Sequence, residues 1–168
     1  MDKLFRLKTA IYTLVLTSLC LAGTAYGIEK GQSAPAFSLP LLSNGKVVNL
    51  KQYRGKVVYL DFWASWCGPC RQSLPLLNDL RNDLKQKGFE VLAVNLDEEK
   101  AAAQGFLDRF PVDYPILLDP EGGVAMQYEL PGMPTSFILD KKGRIQFVHI
   151  GFKPGDMKSI ESQVKSLL

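Results

Sequence analysis

The sequence predicts an α/β fold with a central mixed β-sheet flanked by helices, and two observations support this prediction. Two near-continuous apolar runs, residues 56–64 and 90–97, have the composition of strands buried on both faces, as in a parallel sheet. A helical segment follows each run, and strands that alternate with helices build a layered α/β domain. The 168 residues are 46% hydrophobic and 22% charged, as expected for one globular domain.

Each remaining element follows from a local pattern. Residues 31–50 combine proline and glycine breakers with a turn at 43–46 and a short strand at 47–50. Leucines at helical spacing predict a helix from Pro69 to about Lys87, with Pro75 as an internal kink and Gly88 at its end. The other predicted elements are helices over 98–110, 121–129 and 156–168, a strand over 115–119, and a hairpin of strands over 135–139 and 145–150.

The first 27 residues have the layout of a secretory signal peptide. Basic residues precede an apolar run from Ala10 to Ala22, and the small residues Ala25 and Gly27 predict cleavage after Gly27. This run is shorter than the roughly 20 residues that a membrane span needs. An uncleaved anchor facing the periplasm is the alternative. We therefore expect residues 28–168 to form an exported domain, periplasmic or otherwise extracytoplasmic.

Charge and ligand counts exclude several classes of function. The formal charge of +3 comes from 20 basic and 17 acidic residues. Three of the basic residues and one of the acidic residues lie within the first 27 positions. The remaining 17 basic and 16 acidic residues leave no electrostatic footprint for nucleic acid. Three cysteines and one histidine, His149, argue against a zinc site with four such ligands. We expect no metal and no other cofactor.

The cysteine pattern indicates redox chemistry. Because Cys20 lies in the signal segment, the domain keeps Cys67 and Cys70, and a disulfide across so short a loop stabilises a fold little. Cys67 follows a buried strand at the predicted start of a helix, where free amides and the helix dipole stabilise a thiolate. Pro69 suits the first helical turn because it has no N–H. We predict that Cys67 is the nucleophile and Cys70 the resolving thiol.

The segment Asp61-Phe62-Trp63-Ala64-Ser65-Trp66-Cys67-Gly68-Pro69-Cys70 resembles the active-site strand and helix start of the thioredoxin superfamily. Gly132-Met133-Pro134-Thr135 resembles the cis-proline loop of that superfamily, and Pro75 matches its helix kink. The path from Asp97 to Pro134 has room for an inserted strand and helix. This insertion, the N-terminal extension and the signal together make the chain similar to exported TlpA/ResA-like proteins. The resemblance implies a thioredoxin fold over residues 31–168 and a reductant in cytochrome c maturation or a related extracytoplasmic thiol pathway.

The resemblance also implies how client proteins bind. Trp66 is expected to offer an apolar docking surface beside Cys67, with Gly68 and Pro69 completing the motif. The backbone of Met133, next to Pro134, is expected to pair with an extended client peptide by strand addition. The alternative is that Met133 and Pro134 only shape a turn. The implied partners are disulfide- or thiol-containing clients and a membrane or periplasmic thiol donor.

Two positions depart from the patterns of the relatives. ResA-like proteins usually carry Glu three residues after the second cysteine, where this chain has Ser73, and this weakens an assignment to cytochrome c maturation. Asp61 matches the buried carboxylate of thioredoxin, but Ala93 stands where thioredoxin has a lysine beside it. A buried, unpaired Asp61 should have a raised pKa and accept the proton of Cys70. The alternative is a surface or hydrogen-bonded strand end.

The leading prediction is therefore a reducing thiol-disulfide oxidoreductase, because Gly-Pro between the cysteines resembles reducing thioredoxin. A disulfide oxidase or isomerase is the second possibility, and a reduction potential near roughly −120 mV rather than −270 mV would favour it. A thiol peroxidase lacks a cysteine in a Thr-x-x-Cys setting, although Ala34-Pro35-Ala36-Phe37 resembles the start of peroxiredoxins. A non-catalytic chaperone holding copper through both cysteines is the alternative from another class. His149 is not expected to act as a ligand or base.

Overall fold

The structure is a computed structural model, and it describes residue 28 and residues 30–168. The strands in this part of the chain are β1 (Ser38–Pro40), β2 (Val47–Asn49), β3 (Val57–Trp63), β4 (Phe89–Asn95), β5 (Ile116–Leu118), β6 (Thr135–Leu139) and β7 (Ile145–Ile150). The α-helices there are α1 (Cys70–Leu84), α2 (Lys100–Leu107), α3 (Gly123–Gln127) and α4 (Met157–Lys165). None of these described helices is both long and apolar enough to cross a membrane. The predicted signal segment, residues 1–27, lies outside the described residues.

The central sheet is mixed, as the sequence predicts. Its five strands have the order β5-β4-β3-β6-β7. Strands β3, β4 and β5 are parallel, whereas β6 is antiparallel to β3 and β7 is antiparallel to β6. Strands β1 and β2 form a separate antiparallel pair, and a bridge between Leu41 and Leu117 connects it to the β5 edge of the sheet. The inserted strand and helix precede the cis-proline loop, where the resemblance places them.

Two hydrophobic cores cover the two faces of the sheet. Side chains of a strand alternate between the faces, so Tyr59 and Trp63 belong to the core under α1, α2 and α4, whereas Leu60 belongs to the opposite core. Asp61 shares the face of Tyr59 and Trp63, and Cys70 is part of the same core. The opposite core is completed by α3 and by the N-terminal segment 34–50. The sheet therefore places the carboxyl of Asp61 on the side of the cysteines.

The predicted elements are confirmed in type. The two hairpin strands also have the predicted bounds, whereas the predicted helices are too long. Helix α1 ends at Leu84, and a 3-10 turn reaches Lys87 before Gly88 adopts φ 92°. Pro75 lies inside α1 as predicted. The other three helices are also shorter than predicted. Apolar residues beyond the ends of two of them, Phe110 after α2 and Leu167 after α4, pack against the same core as the helices. Strand β1 was not predicted, since Pro40 reads as a breaker, but an edge strand tolerates proline.

Candidate active site

The two cysteines of the Cys-x-x-Cys motif are joined in a disulfide. The Sγ–Sγ distance is 2.08 Å, and the Cα atoms of Cys67 and Cys70 are 5.3 Å apart. Cys70 is fully buried in the first turn of α1, whereas 5% of Cys67 is exposed. An incoming sulfur atom therefore approaches the disulfide from the side of Cys67.

The turn that carries Cys67 lies just before α1. The amide of Cys67 donates to the carbonyl of Ala64 at 3.1 Å, and the amide of Arg71 donates to the carbonyl of Gly68 at 3.2 Å. The helix predicted to begin at Pro69 begins one residue later, at Cys70, with Pro69 as its N-cap residue, so Cys67 lies in the turn before the helix. These short-range hydrogen bonds explain the difference, since they close turns rather than helical rings. Cys67 still precedes the positive end of the α1 dipole, which favours its thiolate.

Asp97 holds the loop between β3 and Cys67 in place. Its carboxylate accepts hydrogen bonds from the amide of Ser65 at 3.0 Å, the hydroxyl of Ser65 at 2.8 Å and the side-chain amide of Asn95 at 2.7 Å. Only 5% of Asp97 is exposed. This role of Asp97 was not predicted, although a polar residue directly after a buried strand is a signal for it. Because Trp66 follows Ser65, the hydrogen bonds to Asp97 also fix the position of Trp66.

Asp61 is buried and has one hydrogen-bond donor. Its exposure is 1%, and the hydroxyl of Ser136 on β6 donates to Oδ1 at 2.7 Å. On the other neighbouring strand its register partner is Ala93, and Oδ2 has no hydrogen-bond partner among the described residues. Burial raises the pKa of Asp61 to about 7, and the hydrogen bond from Ser136 opposes this rise. The carboxyl is therefore buried with no ion-pair partner among the described residues, and its hydrogen bond from Ser136 was not predicted.

The peptide bond between Met133 and Pro134 is cis, as the resemblance implies. Thr135 pairs with Phe62 in the sheet, so the cis-proline loop lies beside the end of β3. The hydroxyl of Thr135 donates to the carbonyl of Gly132 at 2.7 Å, and the carbonyl of Pro134 accepts from the amide of Gly151 at 2.7 Å. These contacts fix the loop at the edge where the Cys67 turn begins.

An open groove of about 560 Å³ lies between the Cys67 turn, α3 and the cis-proline loop. Trp66, which is 70% exposed, and Met133 both line it, so the structure brings two predicted client-binding residues together. Gly68 and Pro69 are exposed beside them. Helix α3 contributes Met126, which is 72% exposed and was not predicted as a site residue. The full lining is Trp66, Leu96, Glu121, Gly122, Ala125, Met126, Glu129, Leu130, Gly132 and Met133.

Three other positions from the sequence analysis have structural explanations. Ser73 is buried, and its hydroxyl donates to the carbonyl of Cys70 at 3.3 Å. The Nε2 atom of His149 lies 2.7 Å from Oε1 of Gln163, which ties β7 to α4. Trp63 is fully buried, as expected for a residue of the apolar run 56–64. Within the described residues, no group of three or more His, Cys, Asp or Glu side chains is arranged to hold a metal ion.

A family model described as Redoxin matches residues 29–167. The chain belongs to the Redoxin family. This Redoxin-family chain is 41% identical over 128 residues to the thioredoxin-like protein YneN of Bacillus subtilis, and the match covers 74% of each chain. It is 37% identical over 145 residues to the thiol-disulfide oxidoreductase ResA of Geobacillus kaustophilus, covering 86% of this chain and 82% of the relative.

Comparison with a solved structure also supports a thiol-disulfide oxidoreductase fold for this Redoxin-family chain. The solved structure of a Chlorobium tepidum protein described as thiol:disulfide interchange protein DsbE superposes on this chain with a TM-score of 0.81 at 45% identity. The superposition covers 84% of this chain and 99% of that protein. The predicted thioredoxin fold and the ResA-like assignment are thus confirmed. With the disulfide between Cys67 and Cys70, these relatives place the chain among the thiol-disulfide oxidoreductases.

Proposed function

We propose that the protein is an extracytoplasmic reductase of disulfides in client proteins and that the dithiol of Cys67 and Cys70 supplies the electrons. The observation that supports this most directly is the position of the disulfide. Its outer sulfur belongs to Cys67, the residue after Trp66, and Trp66 forms one wall of the open groove. A client sulfur that reaches Cys67 therefore brings its own chain to this groove.

In the first step, the Cys67 thiolate attacks one sulfur of a client disulfide. A bond forms between the Cys67 sulfur and that client sulfur, the client S–S bond breaks, and the other client sulfur leaves as a thiolate. The N-terminal end of α1 supports the thiolate form of Cys67 before this attack. Cys67 is thus the nucleophile of the proposed reaction.

In the second step, Cys70 resolves the mixed disulfide. Its thiol must lose a proton in a buried place, and the Asp61 carboxylate lies on the same face of the sheet as Cys70. Because burial raises the pKa of Asp61 to about 7, this carboxylate is a stronger base than an exposed aspartate. The Cys70 thiolate then attacks the Cys67 sulfur, the Cys67–Cys70 disulfide forms, and the client leaves as a thiolate. Two electrons have passed to the client.

The client chain is held by the residues around the cysteines. Trp66 and Met133 both line the groove and supply apolar contacts, and Met133 directly precedes Pro134 of the cis-proline loop. Gly68 and Pro69 present an exposed backbone with no bulky side chain next to Cys67. An extended client segment that adds to the Met133 backbone fits this arrangement.

Location and electron supply complete the proposal. The signal-like residues 1–27 support export to the periplasm or another extracytoplasmic space, either with cleavage after Gly27 or with the segment kept as an anchor. After each cycle a thiol donor outside the cytoplasm, in the membrane or the periplasm, must reduce the disulfide again by the same exchange in reverse.

A Cys70→Ser variant tests this proposal. Without the resolving thiol, the mixed disulfide on Cys67 should accumulate in the native compartment, and it should disappear when Cys67→Ser is added. The wild-type protein should also reduce insulin with a dithiol donor, and its reduction potential should lie near roughly −270 mV. Absence of any thiol-linked adduct contradicts the catalytic proposal, and a potential near roughly −120 mV contradicts the reducing direction.

A further inference from the structure

The groove beside the cysteines is apolar in its walls and acidic at its rim. Glu121 precedes α3 and Glu129 follows it, so one carboxylate stands at each end of this short helix. Both side chains are exposed and both line the groove. Among the described residues that line it, there is no lysine or arginine to neutralise them.

The position of Glu129 is not explained by the turn that it forms. Its φ of 48° lies in the left-handed region, and it is the one non-glycine residue with positive φ among the described residues. Its amide donates to the carbonyl of Met126 and so ends α3. A glycine or asparagine adopts this conformation at a lower cost, and nothing in the turn uses a carboxylate. The side chain of Glu129 is therefore free for contacts in the groove.

The apolar walls of the groove select only weakly among client segments, whereas the charges at its rim select more strongly. Met126 and Met133 are unbranched and adaptable, so they accept different apolar side chains on a client. Carboxylates at an exposed rim steer charged partners and discriminate between them more than they add affinity. Trp66, the residue before Cys67, and helix α3 both line the groove, so a client segment bound there has its reactive sulfur beside Cys67. The charge of that segment is therefore exposed to both glutamates.

We propose that this groove selects client segments that carry lysine or arginine next to the reactive cysteine and disfavours segments with acidic residues there. The inference rests on the proposed function, since it names the class of client on which the Cys67 thiolate acts. The two glutamates are the specificity-determining residues, and Trp66, Met126 and Met133 supply the apolar contact. The selection should weaken as salt screens the exposed carboxylates.

The test uses three model peptides with one sequence and one cysteine, which is held as a mixed disulfide with uncharged 2-mercaptoethanol. The residues flanking the cysteine are Lys, Gln or Glu. The reduced full-length protein is mixed with each peptide at low and high salt, and the second-order rate constant is measured by chromatography of the released peptide thiol. Each rate is divided by the rate of the same peptide with dithiothreitol, because flanking charge also changes the intrinsic reactivity of the disulfide.

We expect the normalised rate for the Lys peptide to exceed that for the Glu peptide by roughly tenfold at low salt and by much less at high salt. In the Glu121→Gln/Glu129→Gln variant the ratio should fall to about one. Because the ratio compares two peptides with one protein, a changed Cys67 reactivity cancels. Asp79→Asn is the matched control, since Asp79 is an exposed carboxylate on α1 that does not line the groove, and its ratio should stay at the wild-type value.

Two outcomes distinguish a failure of the client-charge inference from a failure of the reductase proposal. If all three peptides are reduced but the ratio is near one in the wild type, or is unchanged in the double variant, the inference about client charge is wrong while the reductase proposal stands. If the protein reduces none of the peptides, including the uncharged Gln peptide, both are wrong.

Discussion

Asp61 links the stability of the protein to pH. Its pKa is about 7 in the folded protein, against an ordinary value of 3.8, because burial disfavours the charged form. The folded state therefore binds the proton of Asp61 more tightly than the unfolded state. The stabilising contribution of the protonated carboxyl is complete below about pH 4 and is lost as the pH rises through about 7.

Replacement of Asp61 by Asn should remove this dependence. At pH 8 we expect the oxidised Asp61→Asn protein to exceed the wild type in free energy of unfolding by up to roughly 4 kcal/mol, because about three pKa units are involved. Below pH 4 the two proteins should differ little. Urea unfolding between pH 4 and pH 8 measures the difference. An equal difference at both ends of this range would mean that Asp61 ionises normally in the folded protein.

Ser136 should set the pKa of Asp61. Its hydroxyl is the one hydrogen-bond donor to the Asp61 carboxyl among the described residues, and a donor favours the charged form. We expect Ser136→Ala to raise the pKa of Asp61 further above 7 and Ser136→Thr, which keeps the hydroxyl, to leave it near the wild-type value. Carbon-13 NMR of the Asp61 carboxyl follows the titration directly. Identical titration curves for the Ala variant and the wild type would contradict this role.

The residues that could be predicted from the sequence are those whose signal is local. Cys67, Cys70 and Pro134 lie in short motifs, and the burial of Asp61 follows from the apolar run around it. The contact of Asp61 with Ser136 joins positions 75 residues apart, and that of Ser65 with Asp97 spans 32 residues. In neither case does one sequence identify the partner residue, because the partner depends on which strands become neighbours in the sheet.

At the scale of elements, strands were easier to predict than helix ends. Strands β6 and β7 have the predicted bounds, and the bounds of β3 and β4, which are buried over all seven residues each, lie within two residues of the ends of the apolar runs. Helix ends depend on caps and turns, and α3 shows this. It begins only after Gly122 at φ 68°, and the carboxylate of Asp119 accepts hydrogen bonds from the amides of Val124 and Ala125, both at 2.9 Å.

The connection between β4 and the Cys67 turn should depend on Asp97. Asp97→Ala removes the acceptor for the Ser65 amide and hydroxyl, and we expect a loss of about 1–3 kcal/mol in the free energy of unfolding. The Ser65 amide should also exchange with deuterium faster than in the wild type. Asp108→Ala is the matched control, because Asp108 is exposed and contacts only its own helix through Gln104. Unchanged exchange at Ser65 would mean that the loop is fixed by other contacts.

At the scale of the whole molecule, the N-terminal segment is part of the domain and not an appendage. Phe37, Leu39, Val48 and Leu50 are buried against the face of the sheet opposite the cysteines. The hydroxyl of Tyr128, just after α3, donates to the carbonyl of Pro35 at 2.8 Å. The segment therefore connects one core of the sheet with the end of the helix that forms the groove wall.

This arrangement predicts that shortening a single buried side chain of the N-terminal segment, far from the cysteines, strongly lowers the free energy of unfolding. Phe37 is 5% exposed and meets the ring of Tyr128 edge to face, with centroids 6.3 Å apart. Phe37→Ala should lower the free energy of unfolding by about 3–5 kcal/mol, as for a central core residue. Val47→Ala is the control from the same segment, because Val47 is 58% exposed and should change stability by about 0.5 kcal/mol or less. Urea unfolding of the oxidised proteins measures both, and equal small losses would show that the segment packs only loosely on the sheet.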